Sequence, residues 1–246
     1  MAKLRQLVHE LVGVNLTKLQ VDAFHYYETE LRRWNENINL TRIIDSQDIL
    51  VQHFLDSLSC LLPLHNIAGK HASIKLVDVG SGAGFPGIPL AIISSNIDVT
   101  LVESKEKKCI FMKQIVRELG LSNARVLNKR IEQLGQDYEH REHYDWAIAR
   151  AVASLPILAE YLLPLTRVPG YCLAQTTSVS ESEISRATSV WSKLGGSLDQ
   201  IVPVDLPGIH ETRHLIVMRK MSATPRKYPR RPGIPKKRPL NLNHYS

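Results

Sequence analysis

The residues best suited to chemistry form one run, Asp78-Val79-Gly80-Ser81-Gly82-Ala83-Gly84-Phe85-Pro86-Gly87, between a stretch that reads as a strand and one that reads as a helix. Glycines at such a bend adopt backbone angles closed to other residues and let the main chain approach a ligand closely. Pro86 suits the first helical position. A dinucleotide loop would carry G-x-G-x-x-G, but counting from Gly80 the sixth position is Phe85, and the spacing here is G-x-G-x-G. Glu103 then falls at the end of the next strand, where a carboxylate can accept hydrogen bonds from both hydroxyls of a ribose. Ser104 and Lys105 follow it directly. Taken alone, each feature has an ordinary explanation, the glycines as a turn and Glu103 as a surface carboxylate. Their order is what points to a nucleoside site.

A loop of this form, opened by an acid at a strand end, resembles the cofactor loop of Rossmann-type methyltransferases, whose ligand carries no pyrophosphate to seat on a helix N-terminus. That resemblance implies S-adenosylmethionine as the cofactor.

The elements that must position these residues follow from periodicity. Thr17 to Gln20 reads as a capping box, and Phe24, Tyr27, Leu31, Trp34 and Ile38 recur at helical spacing behind it. A second helix is expected from Ser46 through Ile49, Leu50, Phe54, Leu58 and Leu61, stopped by Pro63. From Ile74 onward, short β-branched runs alternate with helical stretches, the pattern of βαβ units around a largely parallel sheet. The predicted strands are Ile74–Val79, Asp98–Glu103, Ala124–Asn128, Tyr144–Ala149 and Gly170–Ala174, with a helix over Lys105–Leu119. Ser197–Val204 and Arg213–Arg219 can pair as an antiparallel hairpin closing the sheet. The expected fold is therefore α/β with an N-terminal helical extension, and the resemblance of the loop implies that its core is a Rossmann-like class I methyltransferase core. Its parts are a helical region over 1–70, the core over 71–220 and a basic, proline-rich tail over 221–246.

Composition narrows the remaining classes. A chain of 246 residues, 43% hydrophobic and 22% charged, is globular in character. Cys60, Cys109 and Cys172 form no CxxC pair, which argues against structural zinc or a disulfide framework, so no metal is expected. No signal-peptide pattern opens the chain, and the apolar stretch Ile74–Ile93 is broken by Asp78, four glycines and two prolines. A soluble, cytoplasmic monomer that does not engage a membrane is the expectation. The net charge of +7 is concentrated at one end: Arg219–Ser246 holds nine Lys or Arg and no acid, leaving 22 basic against 24 acidic residues before it. Such a run suits a polyanionic partner, through phosphate neutralisation and counterion release, though a solvated tail has the same composition.

Beyond the glycine loop, the chain resembles the bacterial family of small-subunit rRNA guanine-N7 methyltransferases, also called glucose-inhibited division protein B or RsmG. The elements that carry the resemblance are Asn39-Leu40-Thr41, His53-Phe54-Leu55-Asp56-Ser57, the run Asp78–Ile92, Arg130-Ile131-Glu132, Ala149-Arg150-Ala151, Arg213-His214-Leu215 and Tyr228-Pro229-Arg230-Arg231-Pro232-Gly233. It implies a cofactor pocket lined by Gly80, Gly82, Phe85, Glu103, Ser104, Lys105, Ile131, Glu132 and Arg150. The implied substrate is a guanine in a decoding-region loop of 16S rRNA, and the partner is that rRNA or an assembling 30S subunit. One departure stands out: where the family often has Lys-Gly after its fifth strand, this chain has Gln175-Thr176.

Guanine N7 carries a free in-plane lone pair, so no catalytic base is expected; the protein must hold nucleophile, methyl carbon and sulfur in line. The candidates for positioning are Asn39, Thr41, His53, Asp56 and Arg150. Those for RNA contact are Arg213, Arg226, Lys227, Arg230, Arg231, Lys236, Lys237 and Arg238, the tail forming an extended strip in which Tyr228 either stacks on a base or packs on the core. His53 and Asp56, three apart on one helix face, can equally be a surface pair, and Arg150 a sheet-end salt bridge. Competing readings are a methyltransferase for another RNA or a small molecule, an NAD-dependent oxidoreductase, and a non-catalytic RNA-binding protein.

Overall fold

The computed structural model describes residues 1–150, 153–177 and 179–240. Ala151, part of the strand-end motif above, lies outside them. A seven-stranded sheet forms the centre, ordered β3-β2-β1-β4-β5-β7-β6. The strands are β1 (Ile74–Val79), β2 (Ile97–Glu103), β3 (Ala124–Asn128), β4 (Tyr144–Arg150), β5 (Thr166–Thr176), β6 (Gly196–Val204) and β7 (Arg213–Lys220). β1 pairs in parallel with both β2 and β4, whereas β7 inserts antiparallel between β5 and β6. The expected hairpin therefore forms, with its second strand innermost. Strands β1 and β2 are almost wholly buried, as continuous Ile/Leu/Val runs require when helices cover both faces of a parallel sheet. Strand order reverses between β1 and β4, and the crevice beyond their carboxyl ends is where such sheets take ligands.

The helices are α1 (Ala2–Val12), α2 (Lys18–Asn35), α3 (Ser46–Asp48), a π-helical segment (Ile49–Leu55), α4 (Asp56–Leu58), α5 (Leu61–Ala68), α6 (Gly87–Ile93), α7 (Glu106–Glu118), α8 (Ile131–Leu134), α9 (Leu155–Leu162), α10 (Glu181–Lys193) and α11 (Ile234–Lys237). None is long and apolar enough to cross a membrane. The capping box at α2 is present in both directions between Thr17 and Gln20. Residues before Val12 form α1, whose Leu4, Val8 and Val12 recur every fourth position and are buried. One helix expectation needs correction. Pro63 stops nothing; it sits in the first turn of α5, where the missing N–H has no helical partner to lose. Pro86 is the N-cap of α6 and Gly87 its first residue.

One apolar cluster joins α1, α2 and the π-helical segment to the sheet through residues such as Phe24, Phe54, Leu76 and Phe111. The helical extension thus shares one core with the sheet. The second cluster lies on the opposite face and includes Val77, Leu158, Trp191 and Tyr228.

Tyr228 places the tail, which is not the extended strip expected from its composition. Arg141 donates to the carbonyls of Tyr228 and Thr224, each at 2.7 Å, and Gln136 to that of Pro229 at 2.7 Å. Arg230 pairs with the buried Glu160 at 2.6 Å, and Gly233 N–H donates to Glu132. α11 adds a helical turn within this tail. Arg230 is therefore committed within the protein, while Lys227, Arg231, Lys236, Lys237 and Arg238 stay exposed. Replacing Arg230 by Ala leaves Glu160 buried without its cation and should lower the unfolding free energy by about 3 kcal/mol, against under about 0.5 kcal/mol for Lys237→Ala. Chemical denaturation of the two variants measures the difference; equal values would mean that the tail is not docked.

Candidate functional site

The bend after β1 is built by Asp78. Its buried carboxylate accepts the Gly87 N–H at 2.9 Å, tying the loop's end to its beginning, while Ser81 Oγ donates to the Asp78 carbonyl and accepts the Val102 N–H. Burial pushes the Asp78 carboxyl up to about 7, opposed by the Gly87 hydrogen bond. Gly80 and Gly82 have φ of 70° and 62°, a Cβ on Gly82 would meet nothing closer than 3.9 Å, and both residues border the space beyond the loop. Gly87 is small for another reason: a Cβ there would lie 2.4 Å from Leu101.

That space is a cavity of about 470 Å³ whose walls include Gly80, Gly82, Glu103, Ile131, Glu132 and Arg150. One Glu103 oxygen accepts the N–H groups of Ser104 and Lys105 at 2.7 and 2.8 Å; the other has no hydrogen bond among the described residues. Ser104, Lys105, Tyr161 and Lys236 also border the cavity. Glu132 accepts from Gly233 N–H at 2.9 Å and from Tyr161 Oη at 3.5 Å, so the tail helps to shape this wall. Phe85, expected in the lining, lies behind it instead. Its ring stacks with Tyr27 at 5.3 Å and His53 at 4.4 Å, and the Arg150 guanidinium carbon stands 5.0 Å from its centroid. Tyr27 in turn donates to the Ala83 carbonyl at 2.6 Å, bracing the loop from α2.

A second cavity, of about 490 Å³, shares Arg150 as a wall and adds His53, Asp56, Gln175 and Arg213. Arg150 Nη1 donates to Asp56 Oδ2 at 3.0 Å and to the Gln52 carbonyl at 3.1 Å, and Nη2 to His53 Nδ1 at 3.2 Å. Because a guanidinium has no acceptor, Nδ1 must carry the lone pair; Nε2 therefore holds the proton and donates to Thr41 Oγ1 at 2.8 Å. Burial first, and Arg150 second, lower the His53 pKa to about 3, so the ring is neutral. Asp56 is crowded with donors: Gln175 Nε2 at 2.8 Å on its other oxygen and Arg213 Nε at 3.5 Å. Its pKa is nonetheless raised by burial, against the pull of both arginines. Arg213 Nη1 is buried with no hydrogen-bond partner among the described residues, the Glu211 carboxylate standing 3.6 Å away.

His53, Asp56, Arg150 and Arg213 thus converge, and the first two are buried, not a surface pair. Asn39 is not with them: it is exposed in a separate depression beside Lys107 and Lys108. Gln175 was noted only as a departure from a pattern; here it orients Asp56. Tyr27 was read only as a helix-face hydrophobe, and no spacing rule links it to Ala83.

Comparison with known proteins places these features in context. Residues 20–216 match the family model GidB, rRNA small subunit methyltransferase G. The ribosomal RNA small subunit methyltransferase G of Desulforamulus reducens is 41% identical over 96% of this chain and 97% of its own length. That of Roseiflexus castenholzii is 45% identical over 93% and 95%. Among solved structures, the 1,6-didemethyltoxoflavin-N1-methyltransferase of Burkholderia thailandensis, bound to S-adenosylhomocysteine, superposes with a TM-score of 0.54 at 14% identity, covering 80% of this chain and 90% of that one. At that identity it supports the fold.

The neutral His53 has a pH signature. Its folded pKa lies below the unfolded value of 6.5, so the unfolded chain takes up a proton that the folded one refuses, and stability falls as pH drops from 6.5 towards 3. Between pH 7 and pH 5 the stability of the native protein relative to His53→Gln should fall by on the order of 2 kcal/mol. Denaturant melts at the two pH values measure it; a constant difference would contradict a buried neutral ring.

Proposed function

The chain belongs to the GidB family, rRNA small subunit methyltransferase G, and on that premise we propose that it methylates N7 of a guanine in the decoding-region loop of 16S rRNA. S-adenosylmethionine is the methyl donor, and the fit of the first cavity supports it: an open glycine backbone floor, a carboxylate oxygen on Glu103 free to take ribose hydroxyls, and the apolar Ile131 beside it. When bound, the cofactor supplies a methyl carbon already activated on a sulfonium.

The target base belongs in the second cavity, with Arg150 between base and cofactor. The observation that carries the N7 reading is the state of the groups there that could act as bases. His53 uses both ring nitrogens, on Thr41 and Arg150. Asp56 is engaged by Arg150 and Gln175 and approached by Arg213. A site whose basic groups are all occupied is built to orient a nucleophile that needs no deprotonation, as guanine N7 is. Arg213 Nη1, buried and engaged only by the Glu211 carboxylate at 3.6 Å, beyond hydrogen-bond distance, is a donor available to a base carbonyl or a phosphate. In A-form RNA the N7 edge faces a groove that side chains cannot enter, so the guanine must be unpaired when it is taken up. We further propose that the protein acts as a cytoplasmic monomer, on free rRNA or on an assembling subunit.

Mapping N7-methylguanosine in rRNA from cells with and without the protein tests the assignment. The mark should vanish at one position in its absence; an unchanged map overturns the reading. Replacing Glu103 by Ala removes a charged acceptor and should weaken S-adenosylmethionine binding about tenfold or more by calorimetry, with no binding of NAD by either protein. Arg150→Lys keeps the charge but loses the planar fork and should cost about a hundredfold in kcat.

A further inference from the structure

The rim of the cofactor cavity carries more positive charge than its ligand can use. Lys105 and Lys108 come from the start of α7, Lys129 and Arg130 from the connection to α8, and Lys236 from α11. Lys129 is paired with Asp137 at 2.9 Å, but among the described residues Lys108, Arg130 and Lys236 have no ion-pair partner. The Lys108 ammonium stands over the glycine loop, 3.9 Å from where a Cβ on Gly82 would be. S-adenosylmethionine carries two positive groups against one carboxylate, so a ring of lysines and arginine opposes its entry and calls for a different anion. Lys236 makes this ring continuous with the docked tail, whose Arg231, Lys237 and Arg238 are exposed.

We propose that the RNA backbone crosses the mouth of the cofactor cavity, its phosphates held by Lys108, Arg130 and Lys236, so that the substrate itself caps the bound methyl donor. The proposal rests on the rRNA reading above and adds an order to it. The donor enters first, the RNA second, and the donor cannot leave until the RNA does. Charge complementarity from three separate elements around one opening is the basis.

The test uses the full chain and an rRNA stem-loop bearing the target guanine. The Lys108→Gln, Arg130→Gln, Lys236→Gln triple variant should bind the RNA with a salt dependence reduced by about 2 in the slope of log affinity against log salt, since each single-strand phosphate contact contributes roughly 0.7. Its affinity for S-adenosylmethionine without RNA should be unchanged or slightly higher. In the native protein, saturating RNA should slow donor dissociation at least tenfold in a stopped-flow chase. A native slope in the variant, or a tenfold loss of donor affinity without RNA, overturns the capping arrangement; if the native protein still methylates rRNA, only the arrangement falls. Failure of the native protein to bind the RNA at all removes both.

Discussion

A guanidinium is a flat fork of donors, and in this protein every part of the site is arranged around one of them. Arg150 at the end of β4 meets the Gln52 carbonyl, the Asp56 carboxylate and the His53 ring nitrogen, all supplied by the helical stretch from Ile49 to Leu58. Three acceptors in fixed positions leave the fork one orientation. A charge that is only 14% exposed must be paired to be tolerated, and Asp56 pairs it. The other arm of the guanidinium decides which His53 nitrogen is protonated, and Gln175 holds Asp56 from the neighbouring strand. Losing any member leaves a buried polar group without its partner, so the group behaves as one unit.

This arrangement explains why the N-terminal helices share the core with the sheet. The cofactor cavity is made almost entirely by the strand ends and the loops after them. The second cavity has Arg150, Gln175 and Arg213 from the sheet but Ile43, Gln52, His53 and Asp56 from the extension. Aromatic rings carry the rigidity between the two parts, from Phe24 and Tyr27 on α2 to Phe54, Phe85 and His53. The sheet supplies the first cavity; the extension supplies one wall of the second. The tail completes the far wall, through Gly233 on Glu132.

The parts legible in the sequence are those governed by local periodicity. All seven strands were readable within a few residues, because buried parallel strands are apolar runs punctuated by turns. The glycine loop and Glu103 were readable because their spacing is local. What escaped depends on partners far along the chain. The tail's composition offers no periodic pattern, yet Arg141, Gln136, Glu132 and Glu160 supply the hydrogen bonds and charges that its backbone and Arg230 require. Phe85 was expected in the cavity lining and packs instead against Tyr27 and His53, since an aromatic beside a glycine bend serves either position. Asn39 sits in a motif with Thr41, but only Thr41 turns towards His53.

The π-helical segment from Ile49 to Leu55 has the registry of a helix with one residue too many. Shortening this stretch by a residue would restore ordinary winding and improve its local regularity, but it would also turn His53 and Asp56 to different bearings around the axis. Relatives that lost such a residue would gain a steadier helix and surrender the grip on Arg150. The irregular turn thus exchanges local regularity for the bearing at which His53 and Asp56 meet Arg150.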